Sequence, residues 1–398
     1  MSAASRPATL FRAADRDICD AYLYLLGRLL VLRQEHLDIL SGVEWNRLRH
    51  HEPGSQLTSS EAWIAVDETS STIIEVPEIR GRYYTVHVVN PWGETVANIN
   101  ERTFSNRPSG RYALCLKDTR QLLPPDTRRI DLPGRKAHVL IHVECGADLD
   151  EAEAIQHAFA MRTTGTPVVP ATIGIPPFPN NDLPGVSAFD SALVVLAAEQ
   201  DVNEGVDDAR AQVRLVAALA STDERGRIDR AIRQRSWGLR QVLYTTKNDW
   251  LASRLAGNYG TNWLARTAAN MFELWTNTKA EVAHFHTGAA TPLDGSTTYV
   301  MRFDRDTLPQ VRHFWSICVN GVTPRRPVLS SRSKLQLGRR GALALYFAPA
   351  LPRGVPEQNW LPTPAGQQYS LDWRSFGPDQ STATGRWFPP SLEELADR

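Results

Sequence analysis

Residues 369–378 read YSLDWRSFGP and residues 298–303 read TYVMRF, and the two segments share one pattern. In the first, Tyr369, Leu371 and Trp373 fall on one side of an extended chain and Ser370, Asp372 and Arg374 on the other. In the second, Tyr299, Met301 and Phe303 oppose Val300 and Arg302. Each segment predicts a half-buried strand, and Asp372 and Arg374, two apart on the polar side, are close enough to pair. Around them lie PLDGS (292–296), LPQVRHFWSI (308–317), GALALYF (341–347), NWLPTP (359–364) and GRWFPP (385–390). These are short strands cut by Gly, Pro, Asp and Ser turns, with no sustained helical period. The pattern predicts an antiparallel sandwich or jelly roll rather than a parallel sheet.

Upstream, STIIEVPEIRGRYYTVHVVNPWGE (71–94), GRYALCL (110–116) and KAHVLIHVEC (136–145) form a second strand series. It predicts another sandwich, followed by a helix over 148–162 with Asp148 as N-cap. Ile18, Tyr22, Leu25, Leu29 and Leu32 recur at four- and three-residue spacing, which predicts an amphipathic helix from Ala14 to about Leu40. The Pro- and Gly-rich stretch from Thr163 to Gly185 marks a boundary. Beyond it, VDDARAQVRLVAALA and RIDRAIRQRSWGLRQVLY have helical period. NDWLASRLAGNYGTNWLARTAANMFEL reads as helix, break, helix, with Thr261 or Asn262 as the second N-cap. The predicted class is α+β, mainly β with a helical layer: two antiparallel β-sandwich or jelly-roll domains joined by helices. The division is 1–162, 163–279 and 280–398.

Basic and acidic residues balance at 44 each, so no global charge favours nucleic acid or an anionic membrane. Cys19, Cys115, Cys145 and Cys318 form no C-x-x-C pair, which argues against a zinc ribbon or a disulfide scaffold. Residues 1–14 lack the basic and apolar regions of an export signal, and the run AYLYLLGRLLVL is interrupted by Arg28 and too short to span a bilayer. The expected location is cytoplasmic.

The motifs of the last third, in their order, resemble the second half of a two-domain family in which domain of unknown function 1254 precedes domain of unknown function 1214. The strand pair at 71–94 resembles its first domain, and GNYGTNWLARTA (257–268) matches the approach to its second. The loop that carries an Asn-x-Asp-Thr-type motif in that family reads HHEPGSQLTSSEAW (50–63) here. What the resemblance implies is the two-domain fold.

The sequence shows no phosphate loop, nucleophile elbow, H-E-x-x-H or dinucleotide fingerprint. His284 and His286, two apart on a strand, point the same way about 7 Å apart along the backbone. They suit proton transfer, one metal ion if His313, Asp304 or a distant carboxylate completes the set, or simply a pair of edge-strand or turn-proximal histidines. His138 and His142, roughly 13 Å apart on an extended strand, cannot share an ion, whereas His142 and Glu144 form an oriented acid–base pair or a solvated one. Trp315, Trp360, Trp373 and Trp387 make either core or the wall of a ring-binding pocket. Arg302 and Arg374 are either paired to Asp304 and Asp372 or anchors for a carboxylate. Asn359 before Trp360 suits a turn held by side-chain hydrogen bonds. The expected site therefore has His284 and His286 as catalytic groups, and Arg302, His313, Trp315, Asn359, Trp360 and Arg374 as substrate contacts. Alternation limits this set, because Trp373 and Arg374 point to opposite faces.

Two classes of function fit these residues. One is a cytosolic enzyme for a cofactor-independent tailoring or cyclising step, of lyase, isomerase or cyclase type, on an organic intermediate held by the C-terminal sandwich. A cupin-like enzyme with a divalent metal on His284 and His286 is its variant. The other is a non-catalytic ligand-binding or assembly protein that uses the sandwiches as recognition surfaces. The expected partner is a small organic molecule, with no nucleic acid and no membrane, and a homo-oligomer is left open.

Overall fold

The computed structural model describes residues 13–235, 237–287, 292–320 and 327–395. The stretch 1–12, on which part of the export-signal expectation rests, lies outside them. Among the described residues, no helix is long and apolar enough to cross a membrane.

The chain folds as two β-sandwiches around a helical layer. In the first sandwich, Leu57–Ala65, Lys136–Glu144, Tyr84–Val89 and Thr95–Ile99 form an antiparallel sheet edged by Arg49–His50. A second sheet runs Thr127–Leu132, Gly110–Leu116, Ser71–Val76 and Ala160–Thr164, with one parallel pairing, between the first two. Ile64, Ile74, Val86, Leu114, Val139 and Ile141 are buried between the sheets. Burial of such aliphatic side chains is the main driving force for closing the layers.

The second sandwich has a larger sheet ordered Tyr244–Lys247, Trp250–Ser253, Val282–Thr287, Gln368–Pro378, Val311–Asn320 and Val328–Ser330, with Leu293–Asp294 attached to Gln368–Pro378. Its partner sheet holds Trp360–Pro362, Leu343–Ala348, Tyr299–Phe303 and Glu393–Glu394, again with one parallel pairing. Trp315 and Trp373 stack at 4.5 Å in the core between them. Residues 248–253, which the sequence suggests begin a helix, instead form a hairpin with 244–247. Asn248 and Asp249 both take positive φ (54° and 65°) between the paired residues Lys247 and Trp250, the geometry of a two-residue type I′ turn.

Helix Asp15–Leu40 is more enclosed than one apolar stripe implies. Leu23, Leu26 and Leu30 are buried along with Ile18, Tyr22, Leu25, Leu29 and Leu32. Helices Asp207–Ala220, Arg225–Arg233 and Trp263–Phe272 pack around it. The last of these is N-capped by Asn262, which accepts from the Ala265 amide, and Asp148 caps Leu149–Ala158 in the same way through Glu151.

Helix Trp263–Phe272 positions the site, and a buried ion pair anchors it. Arg266 donates to both oxygens of Asp201 (3.0 and 2.6 Å), lies 3.5 Å from Glu94, and covers the Trp92 ring at 4.6 Å. Tyr24 of the long helix donates to the same Asp201 (2.8 Å). Truncating one partner of a buried pair leaves an uncompensated charge. Arg266→Ala is therefore expected to lower unfolding stability by about 3–5 kcal/mol, measured by urea denaturation. A loss below about 1 kcal/mol would show that Asp201 and Glu94 do not depend on it.

Candidate functional site

Cross-strand partners share a sheet face, so the register places two rows on the outer face of the larger second-sandwich sheet. One row runs Ser330, Ser316, Arg374, His284. The next runs Val328, Cys318, Asp372, His286, Leu251, Thr246. This face is turned towards the first sandwich. Ser316 donates to Gln56 (2.7 Å), Arg332 pairs with Glu144 (3.1 Å), and Arg102 and Asn100 both donate to Glu281 (2.7 Å each). Tyr83 packs on Phe314 and Phe376 beside these contacts.

The two rows meet at His286. Its Nδ1 lies 2.7 Å from Asp372 Oδ1 and its Nε2 lies 3.1 Å from Glu273 Oε1. Glu273 follows the end of helix Trp263–Phe272 and is fixed through its other oxygen by Ser253 (2.7 Å). The His284 and His286 rings lie 3.9 Å apart, and Arg374 Nε donates to His284 Nε2 (3.3 Å). Both imidazole side chains are 24% exposed, while Asp372 and Glu273 are 6% and 9% exposed. The carboxylates are therefore floor, and the rings lie half-buried above them.

This geometry divides the two histidines. Burial opposes a charge on His286, but the hydrogen bonds and charges of Asp372 and Glu273 outweigh it and raise its pKa to about 9. Glu273 is held down to about 2, because His286, His284 and Ser253 outweigh its burial, and Asp372 is likewise held low. His284 is pushed well below the usual imidazole range by burial and then by the charges of His286 and Arg374. At neutral pH the cluster thus holds two carboxylates, two cations and one neutral imidazole.

Donor atoms of Glu273, His284 and His286 lie within 4.8 Å of one another, the convergence a divalent ion needs. However, His286 and Arg374 already neutralise both carboxylates, and the Arg374 guanidinium occupies one nitrogen of His284. A dication would displace the proton of His286 and leave the cluster positive. The arrangement suits proton transfer better than ligation.

The remaining expected residues divide among several places. His284, His286 and Arg374 come together. Trp315 is core, stacked on Trp373, and does not wall a pocket. Asn359 is buried in a turn, bonded to Gln336 and Ala344, and Trp360 donates to Ala348. Arg302 pairs with Glu393 rather than Asp304, and lies with Asn359 along a cleft on the opposite sheet. His313 sits edge-on to Tyr83 between the sandwiches. Glu144 turns to Arg332 and the Tyr83 amide, so it does not orient His142. His142 is close enough to Arg374 for that charge, after burial, to help push its pKa to about 4. Glu273, Ser253 and Tyr244, whose ring stands edge-on to that of His286 at 6.4 Å, are the residues that sequence reasoning missed.

Two family models match the chain: a protein of unknown function, DUF1254, over residues 49–163, and a protein of unknown function, DUF1214, over residues 279–380. The chain belongs to the DUF1254–DUF1214 family. Tyr244, Ser253 and Glu273 lie between the two matched regions. The crystal structure of the VPA0106 protein from Vibrio parahaemolyticus is similar over 96% of this chain and 100% of that one, at 16% identity and a TM-score of 0.73, which shows the fold. An uncharacterized protein from Burkholderia cenocepacia aligns over 93% of this chain and 87% of that one, at 10% identity and a TM-score of 0.44. No curated protein matches this sequence.

A histidine whose folded pKa of about 9 exceeds its ordinary 6.5 adds stability that is complete below pH 6.5 and is lost as pH rises through 9. His286→Gln is thus expected to cost on the order of 3 kcal/mol at pH 6 and far less above pH 9.5. Denaturant melts of both proteins across that range check it. A cost that stays constant with pH would mean that His286 is not held as a cation.

Proposed function

We propose that the protein is a cofactor-independent enzyme that moves a proton on a small anionic organic molecule, with the His284 cluster as its active site. This reading is carried by the placement of His284, a partly exposed imidazole held against the Arg374 guanidinium and the His286 ring on the sheet, where burial and those two groups disfavour its charged form. Ordinary packing would not require such an arrangement. Clefts adjoin it at both ends of the rows. One, of about 360 Å³, includes Tyr244, Leu251 and Arg254, and another, of about 260 Å³, includes Gln56, Phe314, Ser316 and Arg332. The larger lies at the small end of ligand sites and the smaller just below it.

In this reading, a substrate carboxylate or carbonyl oxygen draws the Arg374 guanidinium to itself and frees His284 Nε2. The added negative charge raises the pKa of His284 towards neutrality, where a general base is most effective. A C–H bond next to the carbonyl breaks, its proton goes to His284, and the electron pair moves onto the oxygen held by Arg374. Return of the proton to a different carbon gives an isomerisation, and loss of a neighbouring group gives an elimination. Both ring nitrogens of His286 are occupied by carboxylates, so it acts as a positioning cation and not as the proton carrier. All four cysteines are buried and none forms a disulfide, which fits the cytoplasm as the place of action.

The test is a screen of small keto acids and other carboxylates by thermal shift, followed by NMR of deuterium uptake at the acidic carbon in D₂O. Wild type is expected to bind and exchange, Arg374→Gln to bind at least tenfold more weakly, and His284→Gln to bind but exchange about 10²–10⁴-fold more slowly. Exchange unaffected by His284→Gln would overturn the assignment. Binding without any exchange would make the cluster a recognition site.

A further inference from the structure

A second polar cluster lies where the long helix meets the first sandwich. Trp63 and His138 are cross-strand partners, and Glu61 is two residues from Trp63, so all three share the outer face of the five-stranded sheet. Asp38, in the last turn of Asp15–Leu40, reaches this face and accepts from Trp63 Nε1 (3.0 Å) and Gln34 (2.7 Å). His138 is fully buried, with its ring centroid 4.6 Å from the rings of both Trp63 and Trp275.

Two observations make this more than a group of carboxylates. Donor atoms of Asp38, Glu61 and His138 all lie within 4.8 Å of one another. Neither nitrogen of the buried His138 makes a hydrogen bond, although Nε2 lies 3.3 Å from Glu61 Oε2. A buried imidazole whose one polar neighbour is a carboxylate out of hydrogen-bond alignment is costly unless something fills the space it faces.

The charges point the same way. Lys136, on the same strand face, is committed to Glu35 (2.6 Å), and His51 engages the other oxygen of Glu61 (2.8 Å). Asp38 receives only neutral donors in its hydrogen bonds. Among the described residues, no arginine or lysine forms an ion pair with Asp38 or Glu61, whereas Asp372 has Arg374 beside it.

We propose that Asp38, Glu61 and His138 bind one divalent transition-metal cation, Zn²⁺ or Mn²⁺, that ties the end of the long helix to the first sandwich. One imidazole nitrogen and two carboxylate oxygens suit either ion. Trp63 and Trp275, themselves 5.7 Å apart, pack together against the ring of His138, and the site is separate from the His284 cluster. Such an ion would join residues 23 or more apart in sequence and would add its binding free energy to folding.

The experiment strips the full chain with EDTA and titrates it with Zn²⁺, and separately with Mn²⁺, by calorimetry. Wild type is expected to take up one equivalent of at least one of the two ions. Glu61→Gln should weaken that uptake at least tenfold, while His284→Gln and His286→Gln leave it unchanged. Thermal melts of the same proteins give a second readout. The metal should raise the Tm of wild type and not that of Glu61→Gln, whereas a hydrogen-bonding role for Glu61 would lower Tm equally with and without metal. Absence of saturable uptake by wild type, uptake that Glu61→Gln leaves intact, or loss that follows His284 or His286 would each overturn the proposal.

Discussion

The period-two alternation of one strand governs the second half of the molecule. Gln368–Pro378 is paired on both sides, with Val282–Thr287 and Val311–Asn320, so its register cannot slip without breaking two ladders. Leu371 and Trp373 consequently enter the core, and Asp372 and Arg374 are directed outward, where the neighbouring strands add His284, His286 and Ser316. The same geometry that packs the indoles assembles the polar cluster on the reverse side. A one-residue slip would bury Arg374 in the sandwich and expose Trp373.

The polar cluster also needs the helical layer. Its second carboxylate, Glu273, comes from the end of helix Trp263–Phe272, and Ser253 beside it comes from the hairpin that extends the sheet. Arg266 holds that helix to Asp201 and Glu94, and Asn270 donates to Gly27 of the long helix and to Trp92. Gly93 (φ +84°) permits this approach: a Cβ there would lie 2.3 Å from Asn270 Oδ1. The second sandwich alone supplies His284, His286, Asp372 and Arg374, but the second anchor for His286 depends on the intervening segment.

Much of this was legible in the sequence. The alternating runs at 298–303 and 369–378 revealed their strands, the four- and three-residue spacing revealed the first helix, and Asp148 and Asn262 proved to be caps. His284 and His286 were paired correctly because they are two apart on one strand. Less legible was anything decided by distant pairing. NDWLASRLAG has the composition of a helix, yet Trp250–Ser253 gains its hydrogen bonds from Val282–Thr287, about 30 residues away. The Asn-Asp dipeptide before Trp250 was the available local signal for a turn. Glu273 carried none, since it is an ordinary residue at a helix end until the sheet forms beneath it. The tryptophans left two readings open, because an aromatic cluster reads the same way whether it fills a core or lines a pocket.

The account rests on one imidazole being charged and its neighbour neutral. The most direct measurement is ¹⁵N NMR of the histidine side chains at pH 7.5, with His284→Gln and His286→Gln used to assign the two resonance sets. The account predicts an imidazolium signature for His286 and a neutral ring for His284 in the same spectrum. Two neutral rings, or two that titrate together near the ordinary value of 6.5, would contradict it.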